Sequence, residues 1–166
     1  MDKIKLTLPS QEMKPAVLAF RDEFKAKGED SIPGSRDLMA HESFLSWIGT
    51  LNAKSDASVP SITYLAFRQP ENTLVGIVDI RHFITEETLH EGHITFSIRP
   101  SERKKGVGTE VLRLALVRAR ELGAIEAVIA CSKGNKPAKR VIKKNGLERY
   151  EPENAISGIS YYRIDL

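Results

Sequence analysis

A turn rich in glycine and basic residues, between residues 99 and 109, is the stretch of this chain best suited to chemistry. It contains Arg103, Lys104 and Lys105, followed by Gly106 and Gly108. The two glycines predict a backbone that takes positive φ and lets a ligand approach closely. The amphipathic helix that follows begins with amides that lack an acceptor within the helix, and its N-terminus carries about half a positive charge. The sequence therefore predicts an anion site that suits a pyrophosphate.

The turn differs from two better-known phosphate loops. A Walker A loop ends in Gly-Lys-Ser/Thr, whereas Gly108 is followed directly by Thr109. A dinucleotide fingerprint requires a third glycine where Val111 stands, and Ile98 ends its predicted strand well before Gly106. Neither motif fits, and the simplest alternative to a ligand site is a basic turn that caps a surface helix.

Charge is unevenly distributed along the chain. The net charge is +3, yet 14 basic and 5 acidic side chains lie between Arg99 and Arg149. The positive region thus surrounds the glycine turn, as a polyphosphate ligand requires. Nucleic acid would be attracted to the same surface, but this region offers few aromatic side chains for base stacking, so we consider a nucleic-acid-binding domain unlikely. The acidic remainder favours a cationic second ligand.

Length and composition predict one domain over residues 1–166, because 166 residues that are 41% hydrophobic can form one sizeable core. No apolar run is long enough to cross a bilayer, and the first residues do not resemble a signal peptide. The single cysteine, Cys131, cannot form an internal disulfide. We therefore expect a cytoplasmic protein that does not bind membranes, and the sequence leaves a homodimer open.

Apolar periodicity predicts elements around the turn in the order β-α-α-β-β-β-α-β-α-β-β. The first strand is expected to include Leu8, and the strand over 93–98 to begin at His93. The nearly all-apolar run 125–131 predicts a central strand parallel to 93–98, joined to it through the helix that Gly108 opens. The expected fold class is α/β of the α+β kind, with a mixed, mostly antiparallel sheet and helices on both faces.

Two separated motifs resemble those of the GNAT N-acetyltransferase superfamily. Arg103 to Thr109 matches its Arg/Gln-x-x-Gly-x-Gly/Ala loop after a strand that ends in x-Pro. Asn135-Lys136-Pro137-Ala138, followed by Asn145-Gly146-Leu147, resembles its Asn-x-x-Ala/Ser element that ends in Gly-Phe. Both motifs lie in the C-terminal half, whereas the N-terminal half agrees in its order of elements alone.

The resemblance implies acetyl-CoA as a co-substrate and no metal. It implies that the pyrophosphate is held by the loop, whose residues are Arg103, Lys104, Lys105, Gly106, Val107, Gly108 and Thr109. It also implies that the pantetheine arm pairs like an added strand with the edge from Phe96 to Ile98. Asn135 would contact this arm as well as cap its helix, and both roles stay open.

The resemblance also indicates candidate acid and base groups. His93 occupies the position near the start of its strand where many members carry glutamate, and imidazole titrates near neutrality. Glu91 and His82 are the alternatives as base. Many members place an acidic tyrosine where this chain has Ile142, so Tyr161 on the last strand is the candidate acid, and Tyr162 is expected in the core.

The implied function is acetyl transfer from acetyl-CoA to a primary amine by direct attack on the thioester. The acceptor would be a small-molecule or protein amine, of cationic character. Since Ile142 replaces the family's acid, a catalytically silent acyl-CoA-binding module is the alternative. Cys131 is a possible nucleophile, but its place at the end of an apolar strand favours a role in core packing.

Overall fold

A computed structural model describes residues 3–52 and 60–166, and the predicted single domain over 1–166 also includes residues outside these ranges. Its strands are β1 (Lys3–Thr7), β2 (Ser61–Gln69), β3 (Thr73–Arg81), β4 (Ile94–Ile98), β5 (Glu126–Ser132), β6 (Glu148–Tyr150) and β7 (Ile159–Asp165). Its helices are α1 (Lys14–Ala26), α2 (Phe44–Asn52), α3 (Val107–Glu121) and α4 (Lys136–Lys144). The predicted order of elements and the fold class are confirmed. Leu8 and His93 lie just outside the strands predicted to contain them, and Leu8 is 58% exposed.

The strands form two antiparallel sheets, and this corrects the predicted position of β5. One sheet has the order β1-β2-β3-β4 and the other β5-β7-β6. The prediction placed β5 beside β4 as a parallel central strand, but β5 pairs antiparallel with β7 along its whole length. In the described chain, β4 and β5 meet at an isolated bridge between Gly92 and Ile129, and the His93 amide donates to the Val128 carbonyl over 2.7 Å.

Gly92 explains why the two sheets meet at that point. A Cβ on this residue would lie 2.6 Å from the Val128 carbonyl oxygen, so a larger residue could not bring the backbones together. Beyond the bridge, β4 has β3 as its only strand partner among the described residues. The other edge of β4 is therefore open.

Helices cover both faces of the four-stranded sheet because its strands alternate their apolar side chains. Leu65 and Ile77 face α1 and α2, where they join a cluster that contains Phe20 and Trp47. Alternate residues such as Tyr64 and Val78 face α3 and α4 instead. Leu112 and Ile142 belong to this second cluster, as does Tyr162, which confirms its predicted core position.

Candidate active site

The start of α3, beside the C-terminal end of β4, has backbone amides that donate to no carbonyl of the helix. Gly106 precedes the helix with φ of 82°, and Lys104 also takes a positive φ, of 62°. The first bond of the helix runs from the Glu110 amide to the Gly106 carbonyl over 3.2 Å. The amides of Val107, Gly108 and Thr109 therefore have no acceptor within the helix. We call these three amides the α3 amide site, and its geometry fits an anion.

Gly108 does not take the positive φ expected for it, and its lack of a side chain allows close packing instead. Its backbone is helical, whereas a Cβ would lie 3.3 Å from Val141 Cγ2 on α4 and 3.5 Å from Ile98 Cγ1 on β4. The missing side chain lets α3 lie close to both elements. Asn145 strengthens this junction, because its Nδ2 donates to the carbonyls of Thr109 and Val141 at 3.1 Å each.

Arg103 is held by the protein, although its side chain was expected to add charge for the phosphate. Its Nε donates to the Ile98 carbonyl over 3.1 Å, and its two terminal nitrogens donate to the Glu29 carboxylate over 2.9 and 2.8 Å. The guanidinium also lies 5.5 Å from the centre of the Phe24 ring. All three cations of the loop are exposed, but the charge of Arg103 is already paired with Glu29.

Two further carboxylates fix the loop before α3 to the rest of the fold. Glu23 on α1 accepts from the Ser101 amide and hydroxyl, each at 2.9 Å, and from Arg99 Nε at 3.2 Å. Burial raises the pKa of Glu23, but these bonds outweigh it and lower the pKa overall. Glu102 accepts both terminal nitrogens of Arg68, which lowers the pKa of this carboxyl.

The open edge of β4 offers peptide groups of Phe96 to a ligand. The Arg81 amide donates to the His93 carbonyl and the Arg99 amide donates to Val75, so peptide groups of odd-numbered residues face β3. Alternation along a strand then directs the peptide group of Phe96 to the other edge. The side chains of Phe96 and Ile98 pack against the α3 core. This edge stays the predicted site of pantetheine pairing.

His93 lies at the junction of the two sheets, and its ring is engaged there. Its Nδ1 accepts from the Val128 amide over 2.9 Å, which places the proton of the neutral ring on Nε2. Burial lowers the pKa of His93, against the opposing effect of Glu126. His82 shows the reverse arrangement, because its Nδ1 lies 3.0 Å from the Pro60 carbonyl and must donate. The basic nitrogen of His93 is thus occupied.

The side chains of Tyr161 and Asn135 each accept a hydrogen bond from a backbone amide. The Tyr161 ring is fully buried, and its hydroxyl accepts from the Ile156 amide over 3.1 Å. Asn135 Oδ1 accepts from the Ala138 amide over 3.1 Å and so caps α4, as expected for its structural role. Its predicted second role, at the cofactor arm, stays a prediction. Burial raises the pKa of the Cys131 thiol, which disfavours a nucleophilic thiolate.

Sequence reasoning missed a cluster of polar side chains on the α1 and α2 face of the sheet, which we call the β3 polar cluster. Its members are Arg36, Ser61, Thr63, Asp79, Arg81 and Glu91. Asp79 Oδ1 accepts from Thr63 Oγ1 over 2.8 Å, and burial raises the pKa of Asp79 more than its polar neighbours lower it. Arg81 forms an ion pair with Glu91. Asp79 and Arg81 are charged residues on the mostly apolar strand β3, and this pattern in the sequence could have indicated the cluster.

The segment between α1 and α2 packs against β4 beside this cluster. Ser97 Oγ donates to the Pro33 carbonyl over 2.6 Å, and Trp47 Nε1 donates to the Ser35 carbonyl over 2.6 Å. The contact of this segment with Ser97, and the close approach of Gly34 to the Thr95 carbonyl, place it on the α1 and α2 face of β4.

Comparisons with known proteins agree with this geometry. The family model described as "Acetyltransferase (GNAT) domain" matches residues 9–148. A search of curated proteins by sequence finds no significant match. Within the described residues, no helix is long and apolar enough to cross a membrane, and no group of potential metal ligands was found.

Solved structures share the fold at low sequence identity. RimL, a ribosomal L7/L12 α-N-protein acetyltransferase in complex with coenzyme A, is 16% identical with a TM-score of 0.70, over 98% of this chain and 94% of that chain. RimJ from Mycobacterium smegmatis, in complex with a CoA-disulfide, is 16% identical with a TM-score of 0.71, over 98% and 81%. A GNAT-family acetyltransferase from Bacillus anthracis is 18% identical with a TM-score of 0.64, over 99% and 98%.

Proposed function

The chain belongs to the GNAT acetyltransferase family, and from this membership we propose that it acetylates a primary amine by direct attack on the thioester of acetyl-CoA. The observation that carries this proposal is that the α3 amide site lies beside the C-terminal end of β4, the strand with the open edge, where a Cβ on Gly108 would lie 3.5 Å from Ile98 Cγ1. Three amides without intrahelical acceptors suit a pyrophosphate, and a strand edge without a partner suits the amide groups of pantetheine.

The co-substrate supplies an acetyl group already activated as a thioester. The α3 amide site, with Lys104 and Lys105 beside it, would bind the pyrophosphate. The Phe96 amide would pair with the pantetheine arm or polarise the thioester carbonyl as negative charge develops on its oxygen. Asn135 Oδ1 accepts from the Ala138 amide, so Nδ2 is the group of this side chain that would donate to the pantetheine arm.

Glu91 takes the proton of the attacking amine. Of the predicted acid and base residues, His93 has its basic nitrogen on Val128, and the phenol of Tyr161 is fully buried. The Glu91 side chain is 39% exposed, just before β4, and its ion pair with Arg81 through Oε2 leaves carboxylate lone pairs that can accept a proton. General bases must lie within hydrogen-bond reach of the proton or one water away, and accessibility is the first requirement.

The transfer step forms one bond, breaks one bond and moves one proton. The amine nitrogen forms a bond to the carbonyl carbon, the carbon–sulfur bond breaks with its electrons on sulfur, and the amine proton passes to Glu91. Ile142 is fully buried in the α3 core, so the family's usual acid has no counterpart at that position. A thiol with a pKa near ~8.5 is an adequate leaving group without one.

The acceptor is a primary amine of a small molecule or a protein, cationic before it loses its proton. RimL is an α-N-protein acetyltransferase, which adds protein N-termini to the amines worth testing. The acidic surface outside the 99–149 region favours approach of an ammonium group.

The test is to incubate the protein with acetyl-CoA and a panel of small amines and N-terminal peptides. Release of free CoA and a gain of one acetyl mass on an amine are expected for at least one acceptor. Calorimetric titration with CoA runs in parallel. CoA binding without transfer to any amine would contradict the proposal and favour a silent acyl-CoA-binding module.

A further inference from the structure

Arg81 ends β3 with a buried guanidinium that is incompletely paired. The side chain is 17% exposed, and its Nη2 pairs with Glu91. Its Nη1 is shielded from solvent and has no hydrogen-bond partner among the residues that the structure describes. Leaving a buried, charged N–H group unsatisfied costs free energy, and native proteins rarely do so. The orphaned nitrogen indicates a position for an acceptor atom from outside the chain.

Arg36 brings a second guanidinium to the same place. Its Nη1 donates to Ser61 Oγ over 3.3 Å, and Ser61 lies directly opposite Arg81 in the register of β2 and β3. Arg36 and Asp37 take consecutive left-handed conformations, with φ of 51° and 60°. Such strain in residues other than glycine is concentrated at ligand-binding segments. Arg36 thus reaches the residue opposite Arg81 from a segment distant in sequence.

The position of Arg81 relative to the thioester site sets the geometry of its ligand. Arg81 lies directly opposite His93, since its amide donates to the His93 carbonyl over 2.7 Å. Phe96 lies three residues further along β4, which is roughly 10 Å at the rise of a strand. The 33–35 segment covers the α1 and α2 face of β4 at Thr95 and Ser97, so an acceptor with its amine near the Phe96 peptide group would reach Arg81 along the open edge of β4.

We propose that Arg81, with Arg36 beside it, is a carboxylate-binding subsite, so that the preferred acceptor is an amine that also carries a carboxylate, of the amino-acid or peptide class. This inference rests on the proposed function for its amine half. Arginine binds carboxylate through two parallel N–H bonds, and the unused Nη1 completes such a fork. Several bonds separate the two groups of the acceptor, as the spacing along β4 requires.

Paired acceptors test the subsite. Rates are measured with ω-amino acids from glycine to aminohexanoate and with the n-alkylamines of the same carbon number. The wild-type protein is expected to favour the amino acids, more so for the longer ones. Arg81→Gln should lower kcat/KM for the amino acids about tenfold or more beyond its effect on the alkylamines, because the charged hydrogen bond to the carboxylate is lost for one class alone. Any change at Glu91, which loses its ion-pair partner, should affect both classes equally. Arg81→Lys should fall between the wild type and Arg81→Gln.

Arg118→Gln is the matched control, because it also removes an arginine paired with a glutamate, Glu121, but does so on α3 at the opposite face. It should change neither class of acceptor. An equal loss for amino acids and alkylamines in Arg81→Gln, or no preference for amino acids in the wild type, would overturn the subsite. Transfer to alkylamines alone would overturn it and leave the proposed function intact.

Binding provides a readout that does not depend on turnover. Calorimetric titration of the CoA-saturated protein with aminohexanoate should show binding that Arg81→Gln weakens about tenfold and Arg118→Gln leaves unchanged. Absence of binding to the wild type would overturn the subsite. Binding that requires Arg81, with no acetyl transfer to any amine, would support the subsite while contradicting the proposed function.

Discussion

The proposed cofactor end and the proposed acceptor end of the site are built from different parts of the polypeptide. At the cofactor end, the α3 amide site consists of three successive backbone amides, and carboxylates such as Glu23 and Glu29 pair with the nearby arginines. At the acceptor end, the β3 polar cluster consists of side chains from β2, β3 and two connecting segments. A single short stretch of sequence forms the first, whereas tertiary packing assembles the second.

This difference explains what each end can recognise. Backbone amides at a helix start bind an anion of fixed shape whatever the neighbouring side chains are, so the cofactor end suits a common co-substrate. Side chains drawn from distant elements can be changed one at a time, so the proposed acceptor end would determine which amine is used. The expected effects below separate chemistry, cofactor binding and stability, from the largest to the smallest.

Glu91→Gln should have the largest effect, about a hundredfold loss of kcat, because the side chain no longer takes a proton while it keeps an oxygen for Arg81. CoA affinity should not change. Steady-state kinetics over pH check this, and the acidic limb of kcat should disappear in the variant. His93→Ala should retain that limb and lower stability instead, since it removes the bond to Val128. A variant at Glu91 that keeps the wild-type rate would return the role to another base.

Gly106→Val should weaken CoA binding about tenfold or more. A β-branched residue at φ of 82° is strained, and relief of the strain rotates the amides that follow. Gly123→Val is the matched control, because Gly123 has φ of 98° at the other end of α3 and both positions have open space around a Cβ. Both variants should lose similar unfolding free energy, but calorimetry should detect weaker CoA binding for Gly106→Val alone. Equal CoA affinities in the two variants would remove the amide site from the cofactor.

The same contrast explains which parts the sequence could predict. The motif over Arg103 to Thr109 and the order of elements follow from local spacing, and the structure confirms the order. The engagement of Arg103 by Glu29 could not be predicted, because the partners are 74 residues apart. Likewise, Arg36 reaches Ser61, opposite Arg81, through sheet register and the α1–α2 segment, and the divergence of β5 from β4 depends on one close approach at Gly92. Tertiary contacts of this kind leave no periodic pattern.

Glu102→Gln should destabilise the fold by about 1–2 kcal/mol at neutral pH, because Glu102 is bonded to both terminal nitrogens of Arg68. Those bonds lower the pKa of Glu102 below its usual value. A carboxyl whose pKa is lower in the folded state stabilises above its unfolded pKa and loses this contribution as pH falls through its folded pKa. Denaturant unfolding should therefore show the variant and wild type converging below about pH 4.

Glu121→Gln is the control for that experiment, since Glu121 pairs with Arg118 on an exposed helix surface. Its effect on unfolding should stay within about 0.5 kcal/mol at every pH. A difference for Glu102→Gln that persists at low pH would show that shape, and not charge, accounts for the effect.

Lys105→Gln should have the smallest effect, about a threefold weaker affinity for CoA at low salt. Lys105 is 59% exposed and lies 3.8 Å from Glu102, so its attraction to a pyrophosphate acts largely through solvent. Salt screens such charges within about 10 Å at 0.1 M, so the difference from wild type should vanish as salt rises.

Arg103→Gln should behave differently. It breaks the pair with Glu29 and the bond to Ile98, so its loss of CoA affinity should persist at high salt and accompany a loss of stability. Calorimetric titrations at several salt concentrations compare the two variants. A salt-dependent loss for Arg103→Gln without a change in stability would mean that Arg103 binds the phosphate directly, as the sequence predicted, and that the cofactor end also depends on side chains.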